Sequence, residues 1–287
     1  MIEPDFLEEL DRFEVSFDRQ VDTAYQGGRR SLDIGEGQRF ADYRQYSPGD
    51  DVRLVDWKLL ARTDELHVKQ YEAERELVVH VLLDASASMD FGEGDAHKFE
   101  FGAKIGLGFA YLAAEEHDDF RFSTFADRFE RLDGGHANRG EVLALVDRLN
   151  AVELDRPGSF REPLEAYASG ISSRSLVIVV SDCLVPPEEV EAGLDALGRN
   201  DVVLAHVVAP EERELPATGD TIFEPAETAG SLRAYFGGRL KQRYQERLAD
   251  HLAAVEASAT RTGAAYAEVD TGMEFFEAFS RVWEGQG

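Results

Sequence analysis

The sequence predicts an α/β protein with an open, mostly parallel sheet and helices on both faces. Residues 77–83 and 176–180 are nearly continuous apolar runs of strand length, which is typical of strands covered on both faces. Helical patterns separate these runs along the chain, as in a parallel sheet with crossover helices. Residues 120–125 alternate apolar and polar side chains and are followed by 129–132, which predicts a hairpin and one antiparallel edge strand.

Each further element follows from a local pattern. Apolar positions at helical spacing over residues 5–25 predict an N-terminal helix that ends at Gly27 and Gly28, and residues 40–46 predict a strand of a small β extension. We expect the N-terminal helix and extension to form one segment, 1–76, packed on a main domain, 77–287. In the main domain the same patterns predict helices at about 97–115, 139–150, 160–172, 187–198, 231–260 and 273–284, strands at 202–208 and 266–269, and an edge strand at 221–223.

The charge balance restricts the environment in which the protein can work and the classes of partner that it can bind. The 287 residues include 57 Asp and Glu against 30 Lys and Arg, a formal net charge of -27, and most of the basic residues are arginine. This excess of acid predicts a halophilic source, since molar salt screens self-repulsion. It also argues against binding to nucleic acid or anionic membranes, which need clustered positive charge. No apolar run approaches the roughly 20 residues of a membrane span and no secretory signal is visible, so we expect a cytoplasmic protein without membrane insertion.

Oxygen-bearing side chains follow two of the buried strands. Asp84, Ser86 and Ser88 lie on one short loop after the first strand, and Asp182 ends another. Ligands of open α/β sheets bind beyond the carboxyl ends of strands, and hard oxygen ligands suit Mg²⁺. The sequence therefore predicts a magnesium site at this edge, with Mn²⁺ as the alternative ion.

Two motifs resemble known families. The segment Asp84-Ala85-Ser86-Ala87-Ser88-Met89 is similar to the metal-ion-dependent adhesion site of von Willebrand factor A domains. The residues before it contain the pattern RxYxPGDDxRxxDWK at 44–58, followed by ART at 61–63 and YxxERE at 71–76. This resembles the signature of the domain of unknown function 58 family, whose members join it to a von Willebrand A-like domain.

The resemblance implies a site and a function. A hydroxyl from an intermediate loop adds to such metal sites, and Ser159 stands at the matching position here, while Cys183 stands where a glycine often follows the last acid. The family implies a non-enzymatic protein-interaction module, in which the metal keeps one coordination position for a Glu or Asp carboxylate of the partner. It also implies a MoxR-type AAA+ ATPase as that partner.

Three alternatives stay open from the residues themselves. Asp84 could be the nucleophile of a Mg²⁺-dependent phosphohydrolase, although the second acid of such loops is replaced by Ser86. The loop could equally cap the next helix in a metal-free scaffold. Arginines and aromatic residues in the signature segment predict either a partner-binding surface or an internally paired scaffold. They are Arg44, Tyr46, Arg53, Trp57 and Arg62.

Overall fold

The computed structural model describes residues 1–3, 5–12, 39–45, 59, 66–72, 78–213, 219–223 and 232–284. Within these ranges there are ten strands: β1 (Arg39–Gln45), β2 (His67–Glu72), β3 (Val78–Asp84), β4 (Asp119–Phe125), β5 (Phe129–Arg131), β6 (Leu176–Ser181), β7 (Asp201–Val208), β8 (Gly219–Phe223), β9 (Leu232–Phe236) and β10 (Ala265–Asp270). The α-helices of the same ranges are α1 (6–12), α2 (Lys98–Glu115), α3 (Arg139–Asn150), α4 (Arg161–Ala168), α5 (Pro187–Ala196), α6 (Pro210–Arg213), α7 (Gly238–Thr262) and α8 (Phe275–Glu284).

The chain divides into two compact units. One unit combines residues 1–26 with 77–287, and the other comprises residues 27–76. In the smaller unit, β1 and β2 form an antiparallel pair with an irregularity between Phe40 and Asp42. This pair is the β extension that residues 40–46 predict. Helix α1 thus belongs to the larger unit by its contacts.

The larger unit contains a six-stranded sheet in the order β10-β7-β6-β3-β4-β5. Every neighbouring pair is parallel except β4 and β5, which are antiparallel. The predicted fold class, an open and mostly parallel sheet with one antiparallel edge strand, is therefore confirmed. None of the helices in the described part of the chain has both the length and the hydropathy of a membrane span.

The central strands β3 and β6 are buried on both faces, which explains their continuous apolar runs. In β6, Ile178 and Val180 pack in the core formed with α2, α3 and α8. Val177 and Val179 pack in the opposite core with residues of α4, α5 and α7. Helix α2 approaches the sheet closely at Gly106, where an added Cβ would lie 2.8 Å from side-chain atoms of both Val81 and Phe122.

Two regions differ from the sequence patterns. The helix expected at about 231–260 begins only at Gly238, because Leu232–Phe236 forms strand β9. Strand β9 pairs with β8 in a separate two-stranded antiparallel sheet. Gly237, in extended conformation at φ -105° and ψ 172°, separates the strand from the helix. The apolar residues at helical spacing begin at Leu240, within α7, so this spacing does not extend over Leu232–Phe236. Of the predicted N-terminal helix, residues 13–25 lie outside the described ranges.

Candidate metal and interaction site

The candidate residues meet where the order of the parallel strands reverses. Strand β3 is followed along the chain by β4 on one side, whereas β6 lies on its other side. Asp84 is the last residue of β3 and Ser181 the last of β6, so both face the crevice beyond the carboxyl ends. Such a topological switch point is the usual ligand position in open α/β sheets.

Asp84 is held by hydrogen bonds from the loop that follows it and from the end of the neighbouring strand β6. Its Oδ1 accepts from the backbone N–H of Ser86 at 2.9 Å, and its Oδ2 accepts from the Ser181 hydroxyl at 2.6 Å. Only 6% of the residue is exposed. Burial and the nearby charge of Asp182 raise the pKa of Asp84 to about 7, against the opposing effect of these hydrogen bonds.

The serine loop is fixed by the adjacent segments of chain. Ser86 forms an isolated parallel bridge with Arg156, and the N–H of Ala87 donates to the Arg156 carbonyl at 2.8 Å. Residues Ala87–Met89 then form a single 3₁₀ turn. This turn brings the hydroxyl oxygens of Ser86 and Ser88 to 3.1 Å from each other.

Asp182 is bound by a lysine that the sequence did not indicate as part of the site. Lys98 Nζ donates to Asp182 Oδ2 at 2.6 Å and to Glu212 Oε1 at 2.8 Å. The side chains of Lys98 and Asp182 are 1% and 2% exposed, and that of Glu212 is 14% exposed. The other oxygen of Asp182 accepts from the N–H of Leu184 at 3.2 Å. Asp182 therefore faces a buried ammonium group rather than open solvent.

Electrostatics keep this lysine charged. Burial lowers the pKa of Lys98, but the carboxylates of Asp182 and Glu212 outweigh it, so the net shift is upward. Lys98 is also the first residue of α2, where the helix dipole disfavours a cation. A lysine at a helix N-terminus needs nearby acidic side chains to offset the unfavourable dipole, so this placement is the sequence signal that could have indicated Asp182 and Glu212 as its neighbours.

The turn after Asp182 shows why a glycine suits the next position. Cys183 has a φ of +50°, in the left-handed region that a side chain disfavours. Its N–H donates to the Ser181 hydroxyl at 2.9 Å, and its carbonyl contacts His251 Nε2 of α7 at 2.8 Å. Burial and the charge of Asp182 raise the pKa of the Cys183 thiol well above its ordinary value, so the thiol is a neutral packing group.

Of the remaining predicted site residues, the structure describes Ser159 in full and the others in part or not at all. Ser159 is partly buried in the loop before α4, three residues after the Arg156 carbonyl that binds the serine loop. The hydrogen bonds of the cluster run among Asp84, the two loop serines, Ser181, Asp182 and Lys98, without Ser159. Tyr46, Arg53, Trp57 and Arg62 lie outside the described residues, and of Arg44 only the backbone in β1 is described.

The donor set suits a small, hard cation. Ligands at adjacent corners of an octahedron with Mg–O distances of 2.1 Å lie about 3.0 Å apart, and the serine oxygens are 3.1 Å apart. Within the described ranges no three His, Cys, Asp or Glu residues form a metal-binding group, so a metal here would depend on hydroxyls. Lys98 supplies one positive charge to Asp182 and Glu212, and Asp84 beside Asp182 receives hydrogen bonds but no cation from the described residues, which leaves the cluster short of positive charge.

Comparisons with known proteins identify relatives over most of the chain. The family model described as "Protein of unknown function DUF58" matches residues 42–254. Uncharacterized proteins of Mycobacterium tuberculosis and Mycobacterium bovis are each 25% identical over 229 residues, which cover 79% of this chain and 72% of the relative.

Solved structures with a similar chain trace have low sequence identity. An aerotolerance-related membrane protein from Bacteroides fragilis is 12% identical with a TM-score of 0.48, covering 73% of this chain and 98% of that chain. The conserved hypothetical protein BatB from Bacteroides thetaiotaomicron is 13% identical with a TM-score of 0.47 and the same coverage. The vWF domain of the type V pili tip protein Mfa5 from Porphyromonas gingivalis is 13% identical with a TM-score of 0.38, covering 74% of this chain and 95% of that chain.

The fold of this chain rests on its own strand order rather than on these structural likenesses. The family match, by contrast, is a match in sequence, and it extends from the signature segment through the serine loop and Asp182 into α7. It spans well over half of the 287 residues. The chain therefore belongs to the DUF58 family.

Proposed function

We propose that this protein is a non-enzymatic protein-interaction module with a Mg²⁺-dependent adhesion-type site. Asp84, Ser86 and Ser88 hold the metal, Ser159 and Asp182 complete the site, and Mn²⁺ can replace Mg²⁺. When bound, the metal supplies a Lewis-acidic position that accepts a Glu or Asp carboxylate of a partner protein. The observation that carries the proposal is the pair of serine oxygens, spaced as an octahedral edge beside a buried carboxylate at the switch point of the sheet.

The surroundings of Asp84 support binding rather than catalysis. A carboxylate nucleophile has to reach the phosphorus of its substrate, yet Asp84 is 6% exposed and both of its oxygens accept hydrogen bonds. The loop position two residues on is Ser86, which cannot serve as a general acid at neutral pH. We therefore expect no turnover of p-nitrophenyl phosphate in the presence of Mg²⁺.

The partner named by the family resemblance is a MoxR-type AAA+ ATPase. Support for it is associational, since a fold does not determine a function. The chemistry of the site requires only an exposed carboxylate on the partner, and any candidate ATPase should lose binding when that carboxylate is replaced by an amide.

Calorimetric titration with Mg²⁺ and Mn²⁺ tests the metal site. The informative variant is Asp84→Asn, which removes the charge but retains an oxygen that can accept from Ser181. Asp201→Asn is the matched control, because Asp201 is an exposed acid paired with Arg174 at the start of β7, at the other end of the strands. We expect saturable binding in the wild type and the control and none in Asp84→Asn. Equal binding by all three proteins would refute the assignment.

The open coordination position has its own test. Water bound to Mn²⁺ enhances the relaxation of bulk water protons, and a carboxylate that replaces this water lowers the enhancement. Adding acetate to the Mn²⁺-loaded protein should therefore reduce the relaxation rate saturably, whereas an equal concentration of acetamide should not. An enhancement that acetate leaves unchanged would contradict carboxylate binding while leaving metal binding intact.

A further inference from the structure

The exposed part of helix α7 carries a row of arginines. Arg239, Arg243 and Arg247 follow one another at four-residue spacing, which places them along one side of the helix over about 12 Å. All three are exposed. None of them forms an ion pair with another residue of the described ranges. We call these three residues the arginine row.

Unpaired arginines are unexpected in a chain with 57 acids and 30 bases. Most other exposed arginines of the described ranges, Arg199 excepted, pair with acids: examples are Arg161 with Glu165 at 2.7 Å, Arg174 with Asp201 at 2.6 Å, Arg261 with Glu191 at 2.6 Å and Arg281 with Glu277 at 2.9 Å. The acids nearest to the row along α7 are Glu246 and Asp250, and Glu246 accepts a hydrogen bond from Gln242 at 2.9 Å. The row thus keeps its donors available.

Helix α7 also passes the candidate site. His251, one turn beyond Arg247, contacts the carbonyl oxygen of Cys183 at 2.8 Å. Burial and the charge of Glu212, the acid that binds Lys98, raise the pKa of Tyr244 on the same helix. A protein bound at the carboxyl edge of the sheet would therefore reach the arginine row as well.

We propose that the arginine row binds an acidic surface of a partner protein, with carboxylates about one helical turn, or roughly 6 Å, apart. Guanidinium groups match carboxylates in bidentate geometry, and arginine is enriched at protein interfaces. A polyphosphate chain fits less well, because the net charge of -27 repels it along its length. The inference rests on the proposed interaction role, but not on the metal.

A labelled helical peptide with glutamates at four-residue spacing over three turns is the probe, and fluorescence anisotropy is the readout. The test variant is R239E/R243E/R247E, and R161E/R174E/R281E is the control with the same change in charge at paired positions. We expect wild-type binding that weakens from 0.2 M to 1 M KCl. The row variant should bind about tenfold more weakly, and the control should bind within about twofold of the wild type.

The same assay distinguishes peptide binding by the arginine row from binding at the metal site. Asp84→Asn should bind the peptide as the wild type does, because the row acts without the metal. Equal weakening in the row and control variants would reduce the effect to net charge and overturn the proposal. Failure of the wild type to bind the peptide would also overturn the proposal. This includes the outcome in which the arginine row binds phosphatidylglycerol vesicles but not the peptide.

Discussion

Replacing Lys98 by methionine should destabilise the protein severely. Methionine keeps most of the volume of lysine but leaves Asp182, whose side chain is 2% exposed, without its counter-charge. Glu212 loses the same partner but is 14% exposed, so it recovers part of its hydration. Removing one partner of a buried ion pair costs about 3–5 kcal/mol, which corresponds to a fall in Tm of about 10 °C for a chain of this size.

The assay is thermal and urea unfolding at fixed salt, with Lys104→Met as the matched control. Lys104 lies on the same helix and pairs at 3.6 Å with Asp95, which is fully exposed, so the control should lose less than about 1 kcal/mol. Salt should change the Lys98 effect little, since a buried pair is poorly screened.

A triple variant identifies the cause. K98M/D182N/E212Q removes the stranded charges together with the lysine, so it should be more stable than K98M alone. The reasoning is refuted if K98M costs under about 1 kcal/mol, or if the triple variant is no more stable than K98M. Either result would mean that the buried ammonium does not neutralise these acids.

Two further predictions concern the sheet. Burial lowers the pKa of His80 from 6.5 to about 4, and the charge of Arg121 lowers it further against the opposing charge of Asp133. Between these two pH values the unfolded chain therefore binds more protons than the folded protein. The free energy of unfolding consequently falls as the pH decreases through this window. Relative to His80→Gln, which cannot titrate, the wild type should lose about 2 kcal/mol between pH 8 and pH 5 in urea unfolding, and a constant difference would contradict the assignment. Gly106→Ala should lower the free energy of unfolding by about 1–3 kcal/mol, because the added Cβ would lie 2.8 Å from Val81 and Phe122. Gly238→Ala is the control and should not destabilise the protein, because the space around its added Cβ is open. Equal urea midpoints for the two variants would disprove the close contact.

The buried cluster also bears on the metal-free alternative. Lys98 already supplies one positive charge to Asp182 and Glu212, which is the arrangement a structural scaffold would need. Asp84 receives hydrogen bonds but no such cation, and its pKa of about 7 reflects burial next to Asp182. The two acids that look equivalent along the sequence therefore have different roles. Asp182 is neutralised within the chain, whereas Asp84 lacks a counter-ion among the described residues.

Local patterns were sufficient for the strands and helices of the main sheet, although they missed β2 and β9. Strands such as β3 and β6 are apolar on both faces, and α2 repeats its apolar residues every three or four positions, so short windows of sequence predict them. The position of Asp84 and Asp182 at strand ends follows from the same patterns, because parallel strands end at the same edge. The serine loop follows from the same strand end, and the family resemblance added Ser159 as a candidate ligand.

Tertiary structure alone decided which charges meet at that edge. Lys98 is separated from Asp182 by 84 residues and from Glu212 by 114, and no periodicity links positions so far apart. Strand β9 likewise depends on its backbone pairing with β8, a partner that is distant from the helical pattern beside it. Sequence determined the strands and the acids that end them, since these depend on neighbours along the chain. The counter-charge and the hydrogen bonds of each acid depend on neighbours in space, which only the folded sheet brings together.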